Sequence, residues 1–396
     1  MTMFPAIDPM EVSMATSLGA LSLHGPVLTA SGCAAAGKEL SQFFDLRLLG
    51  AVVTKSIMVQ PRSGRATPRM AETPSGMLNS IGLQGPGVEA FINKDLAWLE
   101  QQQVRTVVSI AATNVADYAR LARRLSEEPA VAALEVNISC PNVESRGEVF
   151  ACDPRLASTV VAAVRAEAAR DLPVIVKLSP DVTDIVEIAG RVVEAGADAL
   201  ALINTLLGMV IDTDSLKPAL AGVTGGLSGP AIRPVAVRAV YQVHAAMPDV
   251  PILGMGGIRT GADALQFFAA GASAISVGTS IFNDPSAPAR IHHEIRNELA
   301  RRGISRLTDI IGCAHREESG GLSASDSQRT DDSPLVIAHD DAAVSQPGSA
   351  ATAADPRDPG SAADVHSLAQ EDVIDWVRRQ DQQPESDNEK TAEVNL

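Results

Sequence analysis

Aromatic side chains are scarce in this sequence: Phe, Trp and Tyr together make up 3% of its 396 residues. That excludes a reader of nucleic acid that stacks bases on exposed rings. Ala, Val, Leu and Gly fill the apolar 45% instead, a composition suited to helices packed over a parallel sheet. Cysteine is scarce too. Cys33, Cys140, Cys152 and Cys313 are the only four, and no two are spaced as C-x-x-C. A self-contained zinc or iron–sulfur site is thereby excluded, and a reducing cytoplasm is expected. Long apolar runs are missing. The most apolar stretch, residues 192–211, is broken by Glu194, Asp198 and Asn204, and reads as a helix end followed by a buried strand. Residues 1–17 carry Asp8 and Glu11 with no basic residue, which is not the pattern of a secretory signal.

Positive charge is also in short supply, with a net charge of −16. The deficit is concentrated after residue 314, where 18 acidic residues face 6 basic ones. The preceding 314 residues are close to neutral, so no phosphate-backbone partner is expected. From about Cys313 onward Ser, Asp, Ala, Pro and Gln dominate. Residues 314–396 are therefore expected to form a disordered acidic tail, leaving 1–313 as the folded domain. Within the tail, residues 364–380 space Leu368, Val373, Trp376 and Val377 as a short amphipathic helix would. Both a transient helix and a docking element fit that spacing.

What is present is a repeating pattern. Short aliphatic runs at 26–31, 51–57, 106–112, 133–139, 173–179, 199–205, 251–256 and 274–280 read as strands. Helical patterns at 115–126, 154–169, 182–195, 231–246 and 261–270 lie between them. Continuous β-branched runs alternating with amphipathic helices predict parallel βα units. Eight of them predict an α/β fold of the (β/α)8 TIM-barrel type. A doubly wound sheet would place G-x-G-x-x-G after the first strand, and it is absent. Residues 12–23, centred on Leu18-Gly19, predict a hairpin closing the barrel bottom. Two inserts, 58–97 and 206–229, follow strand C-termini, the face on which such barrels build active sites.

Several residue groups at that face carry chemistry. Asn137-Ile-Ser-Cys-Pro-Asn142 ends the fourth strand. A strand-end thiol there can act as a general base, and the flanking amides suit a planar, amide-like ligand. Lys55 and Lys177 end the second and fifth strands. Lysines inside a barrel mouth imply an anionic ligand, or a cofactor that becomes anionic on reduction; a solvated rim position is the lesser alternative for each alone. Gly254-Met-Gly-Gly-Ile258 and Ser276-Val-Gly-Thr-Ser280 close strands seven and eight, where free backbone N–H groups can meet a phosphate. A phosphorylated cofactor such as FMN is expected there. Glu72, Asp181 and Asp212 show no acid–base spacing and read as solvated or structural.

Six segments together resemble one family, the class 1B dihydroorotate dehydrogenases. They are Ala51-Val-Val-Thr-Lys-Ser56, Glu72-Thr-Pro-Ser-Gly-Met-Leu-Asn-Ser-Ile-Gly-Leu-Gln84, Val136-Asn-Ile-Ser-Cys-Pro-Asn-Val143, Val176-Lys-Leu-Ser-Pro180, Ile203-Asn-Thr-Leu-Leu-Gly-Met209 and Thr224-Gly-Gly-Leu-Ser-Gly-Pro-Ala231. The resemblance runs over residues 10–312 and stops before the tail. It implies oxidation of dihydroorotate to orotate in pyrimidine (UMP) biosynthesis. Cys140 is implied as the base that takes the C5 proton while the C6 hydride passes to FMN. Substrate binding is implied for Lys55, Asn79, Ser80, Ile81, Gly82, Leu83, Asn137, Asn142, Asn204 and Thr205. FMN binding is implied for Ser31, Lys55, Ser56, Ser109, Asn137, Lys177, Ile203, Gly229, Gly256, Gly257, Gly278 and Thr279.

Two departures stand out. Many relatives have asparagine at the position of Ser109, and more glycine in the loop 144–153 that would act as a lid. Serine in place of Cys140 and an added N-terminal membrane segment would mark class 2, and the Asn-Thr-Leu-Leu-Gly motif separates the chain from class 1A. Class 1B implies a homodimer of the barrel with an electron-transfer subunit that carries FAD and a [2Fe–2S] cluster and hands electrons to NAD. Two alternatives stay open: a dihydropyrimidine dehydrogenase-type FMN subunit, and a non-catalytic FMN-binding scaffold.

Overall fold

The structure, a computed structural model, describes residues 5–139 and 150–316. Eight parallel strands form one sheet: β1 (Val27–Thr29), β2 (Val52–Val53), β3 (Thr106–Ile110), β4 (Val131–Asn137), β5 (Val174–Leu178), β6 (Ala199–Leu202), β7 (Ile252–Met255) and β8 (Ala274–Val277). Their spatial order follows the chain, with β8 paired to β1. A bridge between Leu28 and Ala51 closes β1 on β2. Thr29 reinforces the seam: its hydroxyl donates to Val53 O at 3.0 Å and accepts from Val53 N at 2.9 Å. The fold is the expected (β/α)8 barrel.

Strand parity separates two cores. Leu134 and Val136 on β4 face the outer helices, whereas Ala133, Glu135 and Asn137 alternate with them and point inward. The lower interior is filled by small aliphatics, including Val53, Val107, Ala133, Ile175, Ala201 and Leu253. The hairpin Thr16–Leu18/Leu21–Leu23 turns at Gly19 (φ 58°) and adds Leu18, Leu21 and Leu23 to this inner cluster. It plugs the N-terminal end, as expected.

The outer helices start where short polar side chains cap them. Asn114 accepts from Asp117 N at 2.8 Å ahead of Val115–Ser126, and Asp153 from Arg155 N at 2.7 Å ahead of Pro154–Glu167. Asp184 caps Ile185–Glu194, which moves that start three residues past the pattern-based boundary. On Val115–Ser126 the i, i+3, i+4, i+7 residues Tyr118, Leu121, Ala122 and Leu125 are buried. Full burial of each leucine contributes about 1.5–3 kcal/mol.

The inserts hold a feature that hydrophobic patterning does not reveal. Met70–Thr73, Gly76–Asn79, Gly225–Ser228 and Leu206–Gly208 form a four-stranded antiparallel sheet, so the two inserts pair with each other. Its strands are only half-buried and rich in glycine, so no aliphatic run marks them. At the other end of the domain, the turn Cys313–His315 packs back on the barrel, with His315 stacked on Tyr241 at 3.9 Å. Among the described residues no helix is long and apolar enough to cross a membrane.

Candidate active site

Inward-facing side chains change from aliphatic to polar near the C-terminal ends of the strands. One chain of contacts links six strand ends. Asn204, just after β6, donates from its amide to Oδ1 of Asn137 at 3.2 Å. Asn137 Nδ2 donates to Ser56 Oγ at 3.3 Å, and Ser56 shares a 2.9 Å hydrogen bond with Ser109. Ser109 Oγ donates to Glu135 Oε1 at 2.9 Å, and that carboxylate oxygen lies 3.9 Å from Lys177 Nζ. Lys177 in turn donates to Ser31 Oγ at 3.0 Å. Ser31, Ser56, Ser109, Asn137, Lys177 and Asn204 are thus brought together.

Glu135 completes this chain, and sequence reasoning did not single it out. The available signal was parity: an acid two residues from Asn137 in an otherwise aliphatic strand must share its inward face. Its side chain is 0% exposed and that of Lys177 only 6%. Glu135 Oε2 and Ser139 Oγ are buried without hydrogen-bond partners among the described residues. Orphaned buried polar atoms are costly and concentrate at working sites.

Ser109 is fully buried, and its hydroxyl is engaged on both sides by Ser56 and Glu135. The mouth-facing position belongs to Ser56. Cys33 lies beside Lys55 and Lys177 in the enclosed mouth. Burial pushes its thiol up to about 11, against the opposing pull of the two lysine charges. Burial likewise holds the Lys55 ammonium below the usual lysine range; Cys33 opposes that shift and the Arg69 guanidinium adds to it.

The insert sheet supplies the opposite wall. Asn79 Nδ2 donates to Gly226 O at 3.3 Å, and a Cβ on Gly226 would lie 2.1 Å from Thr205 Oγ1. Thr205 N donates to Asn204 Oδ1 at 2.8 Å. Asn79, Thr205 and Asn204 therefore converge at one glycine step. Ser80, Ile81, Gly82 and Leu83 continue from Asn79 along a loop held by the first insert's arginines: Arg65 N donates to Ile81 O at 3.0 Å, and Arg62 Nε to Gly82 O at 2.9 Å. Gly82 and Leu83 adopt positive φ of 75° and 56°. Asp181, read as structural, accepts Leu207 N on both carboxylate oxygens at 3.1 Å and anchors this wall. Asp212 accepts Ser215 N at 2.7 Å in an exposed turn.

Backbone dominates the region after β7 and β8. Gly229, Gly256 and Gly257 have φ of 93°, 133° and 71°. A Cβ on Gly257 would meet Gly229 O at 2.6 Å, so these strand-end turns are in direct contact. Gly278 faces Ala30 and Cys33, and Thr279 Oγ1 donates to Ser228 Oγ at 2.7 Å. Ile203, buried behind β6, donates its N–H to Met255 O at 3.1 Å. Cradles of free backbone beside buried cations fit a phosphorylated, anionic cofactor: the glycine turns would hold its phosphate, and Lys55 and Lys177 its electron-accepting end. Cys140, Asn142 and most of the loop 144–153 lie outside the described residues.

A parallel barrel with a polar, cation-bearing mouth over a dry aliphatic plug is the architecture of a barrel enzyme. Comparison with known proteins narrows the class. The sequence model of the dihydroorotate dehydrogenase family matches residues 13–299. The chain belongs to the dihydroorotate dehydrogenase family. It is 51% identical over 303 residues to the protein of Trichlorobacter lovleyi named dihydroorotate dehydrogenase B (NAD(+)), catalytic subunit, covering 76% of this chain and 99% of that one. Proteins of the same name from Desulforudis audaxviator and Bacillus cytotoxicus are 50% and 48% identical, covering 78% and 74% of this chain and 99% and 94% of theirs.

Proposed function

We propose that this chain is the FMN-bearing catalytic subunit of an NAD-linked dihydroorotate dehydrogenase, oxidising (S)-dihydroorotate to orotate for UMP synthesis in the cytoplasm. The observation that carries the reading is the continuous polar chain from Asn204 to Lys177 at the strand ends, together with the glycine turns of Gly229, Gly256 and Gly257. FMN, when bound, supplies the acceptor for the C6 hydride. Everything else falls to the protein. Asn79, Asn137, Asn142, Asn204 and Thr205 bind the amide edges of dihydroorotate, with Lys55 and the 80–83 loop completing the site. Cys140 takes the C5 proton. The pre-formed network holds Asn137 and Asn204 in place before substrate arrives, so little reorganisation of these two remains for the reaction itself. Ser109 acts through Ser56 and Glu135, as a support for the residues that meet the cofactor.

Electrons leave through a partner subunit that carries FAD and a [2Fe–2S] cluster. The relatives' name, catalytic subunit, supports such a division of labour. So does the cysteine pattern of this chain, which contains no cluster-ligand spacing. A homodimer through the insert face is supported by exposed Met70, Leu207, Met209, Ile211 and Leu216, an apolar group on or beside the insert strands. Residues 314–396 are accessory to the chemistry.

The test is anaerobic mixing of purified protein with dihydroorotate while flavin absorbance is followed. Bleaching is expected with dihydroorotate and not with dihydrouracil. Bleaching by dihydrouracil alone would move the assignment to a dihydropyrimidine dehydrogenase-type subunit. A yellow protein bleached by neither would leave a flavin-binding scaffold, and a colourless protein that takes up no FMN would remove the flavin reading.

A further inference from the structure

Glu135 is a buried acid in the mouth that takes no direct part in the reaction just described. It is a carboxylate 0% exposed, and it points to the same face as Asn137 and Lys177. Its two oxygens are unequally used. Oε1 accepts from Ser109 and stands 3.9 Å from Lys177 Nζ, while Oε2 has no partner among the described residues. Burying a carboxylate is costly, and an apolar residue would fill the strand at lower cost. Lys177 has a neutral hydrogen-bond acceptor of its own in Ser31, so its orientation does not require an acid.

We propose that Glu135 is a positioning residue that sets the charge at the flavin: it offsets the Lys177 ammonium and so limits how strongly the site favours reduced flavin. The proposal rests on the flavin reading above. With Lys177 and Glu135 both shielded from water, removing one charge is felt by any neighbour in the mouth with little solvent screening. An uncompensated Lys177 would stabilise the electron-rich pyrimidine ring of reduced flavin and hold electrons back from the next carrier. The Ser109 hydroxyl couples the same carboxylate to Ser56 and Asn137, so the group that balances the cation also aligns the substrate-side amides.

The experiment is an anaerobic equilibrium titration of full-length, FMN-loaded protein against a reference dye, for wild type, Glu135→Gln, Glu135→Asp and Ser109→Ala. Gln keeps the shape and the Ser109 hydrogen bond but drops the charge. It is expected to shift the two-electron equilibrium toward reduced flavin by at least tenfold, about 30 mV more positive. Asp, whose carboxylate is drawn back by one methylene, moves it the same way by a smaller factor. Ser109→Ala cuts the hydrogen bond but keeps the charge, so it is expected to move the equilibrium less than either Glu135 variant. Should the Gln variant not fold, the Asp and Ala variants decide: an unmoved equilibrium in Asp, or a shift in Ser109→Ala as large as in Asp, overturns the proposal. A wild-type equilibrium in the Gln variant overturns it as well. A wild-type chain that binds no flavin would instead count against the reading on which it rests.

Discussion

Asn204 donates its amide to Oδ1 of Asn137 at 3.2 Å, joining the ends of β6 and β4 across the intervening strand. Asn137 passes the connection to Ser56 at 3.3 Å and accepts Ser139 N at 3.2 Å. One amide therefore ties three strand ends and the start of the segment leading to Cys140. Truncating it unties them all. Asn137→Ala is expected to lower kcat/KM for dihydroorotate by about 100-fold, roughly 3 kcal/mol of lost transition-state binding. Stopped-flow reduction of bound flavin checks this, and a loss below threefold would show that the hub is dispensable.

Gly257 tests the cradle. Its φ of 71° is unfavourable for any L side chain, and a Cβ there would lie 2.6 Å from Gly229 O. Gly257→Ala must move one of two turns already in contact. The expected result is a protein purified with little FMN, its affinity at least tenfold weaker, and stability reduced by about 1–3 kcal/mol. Fluorescence titration with FMN and thermal unfolding measure the two effects separately.

Much of this site could be read from sequence because barrel strands announce themselves. Val174-Ile-Val-Lys177 is an uninterrupted aliphatic run ending in a cation, and parallel burial on both faces demands such runs. Lys177 and Asn137 were therefore placed at strand ends without coordinates. Glu135 was less legible: it sits inside an aliphatic run, only its parity with Asn137 marks it, and the network that stabilises the acid comes from other strands. The insert sheet was hidden for another reason. Gly76–Asn79 pairs with Gly225–Ser228, residues far away in sequence, and neither alternates cleanly between buried and exposed. Ser109 illustrates a limit of resemblance: a position at which flavin contact is only implied has its hydroxyl engaged by Ser56 and Glu135.

His292 gives the fold an acid-sensitive point away from the mouth. It is 3% exposed, lies against Gly25, and its Nδ1 has no partner among the described residues. Burial lowers its pKa to about 4, and positive charge at Arg296, His293 and His24 adds to the effect. The folded state thus resists a proton that the unfolded chain accepts at its ordinary value of 6.5. The contribution is fully present above about pH 6.5 and is lost as pH falls toward 4, amounting to roughly 3 kcal/mol across that window. Denaturant unfolding at intervals of pH is expected to show that slope in wild type and a shallower one in His292→Leu.

Removing residues 320–396 is expected to leave flavin reduction by dihydroorotate within twofold of the full chain. The family match ends at residue 299, and the described barrel closes its last turn at Cys313–His315. Every charge named in the mouth comes from residues before that turn. Residues 320–396 carry 16 of the tail's 18 acids and none of those named in the mouth, so their removal changes the overall charge and neither Lys177 nor Glu135. A tenfold rate loss in the truncated protein would place the tail on the catalytic face.

Cys140→Ala separates proton removal from cofactor binding. Ser139, its neighbour, has a buried hydroxyl without a partner among the described residues, and its N–H is held by Asn137. The polar chain therefore reaches the residue before Cys140, while the glycine cradle and the lysines are built from other residues. The variant is expected to bind FMN with wild-type affinity and to lose reduction by dihydroorotate by about 1,000-fold, within reach of what a single positioned base contributes. Cys140→Ser retains a proton acceptor of higher pKa, so it should recover part of the rate as pH rises. A fast reaction in the alanine variant would show that another group takes the C5 proton; Cys33 is a poor candidate because burial pushes it up to about 11.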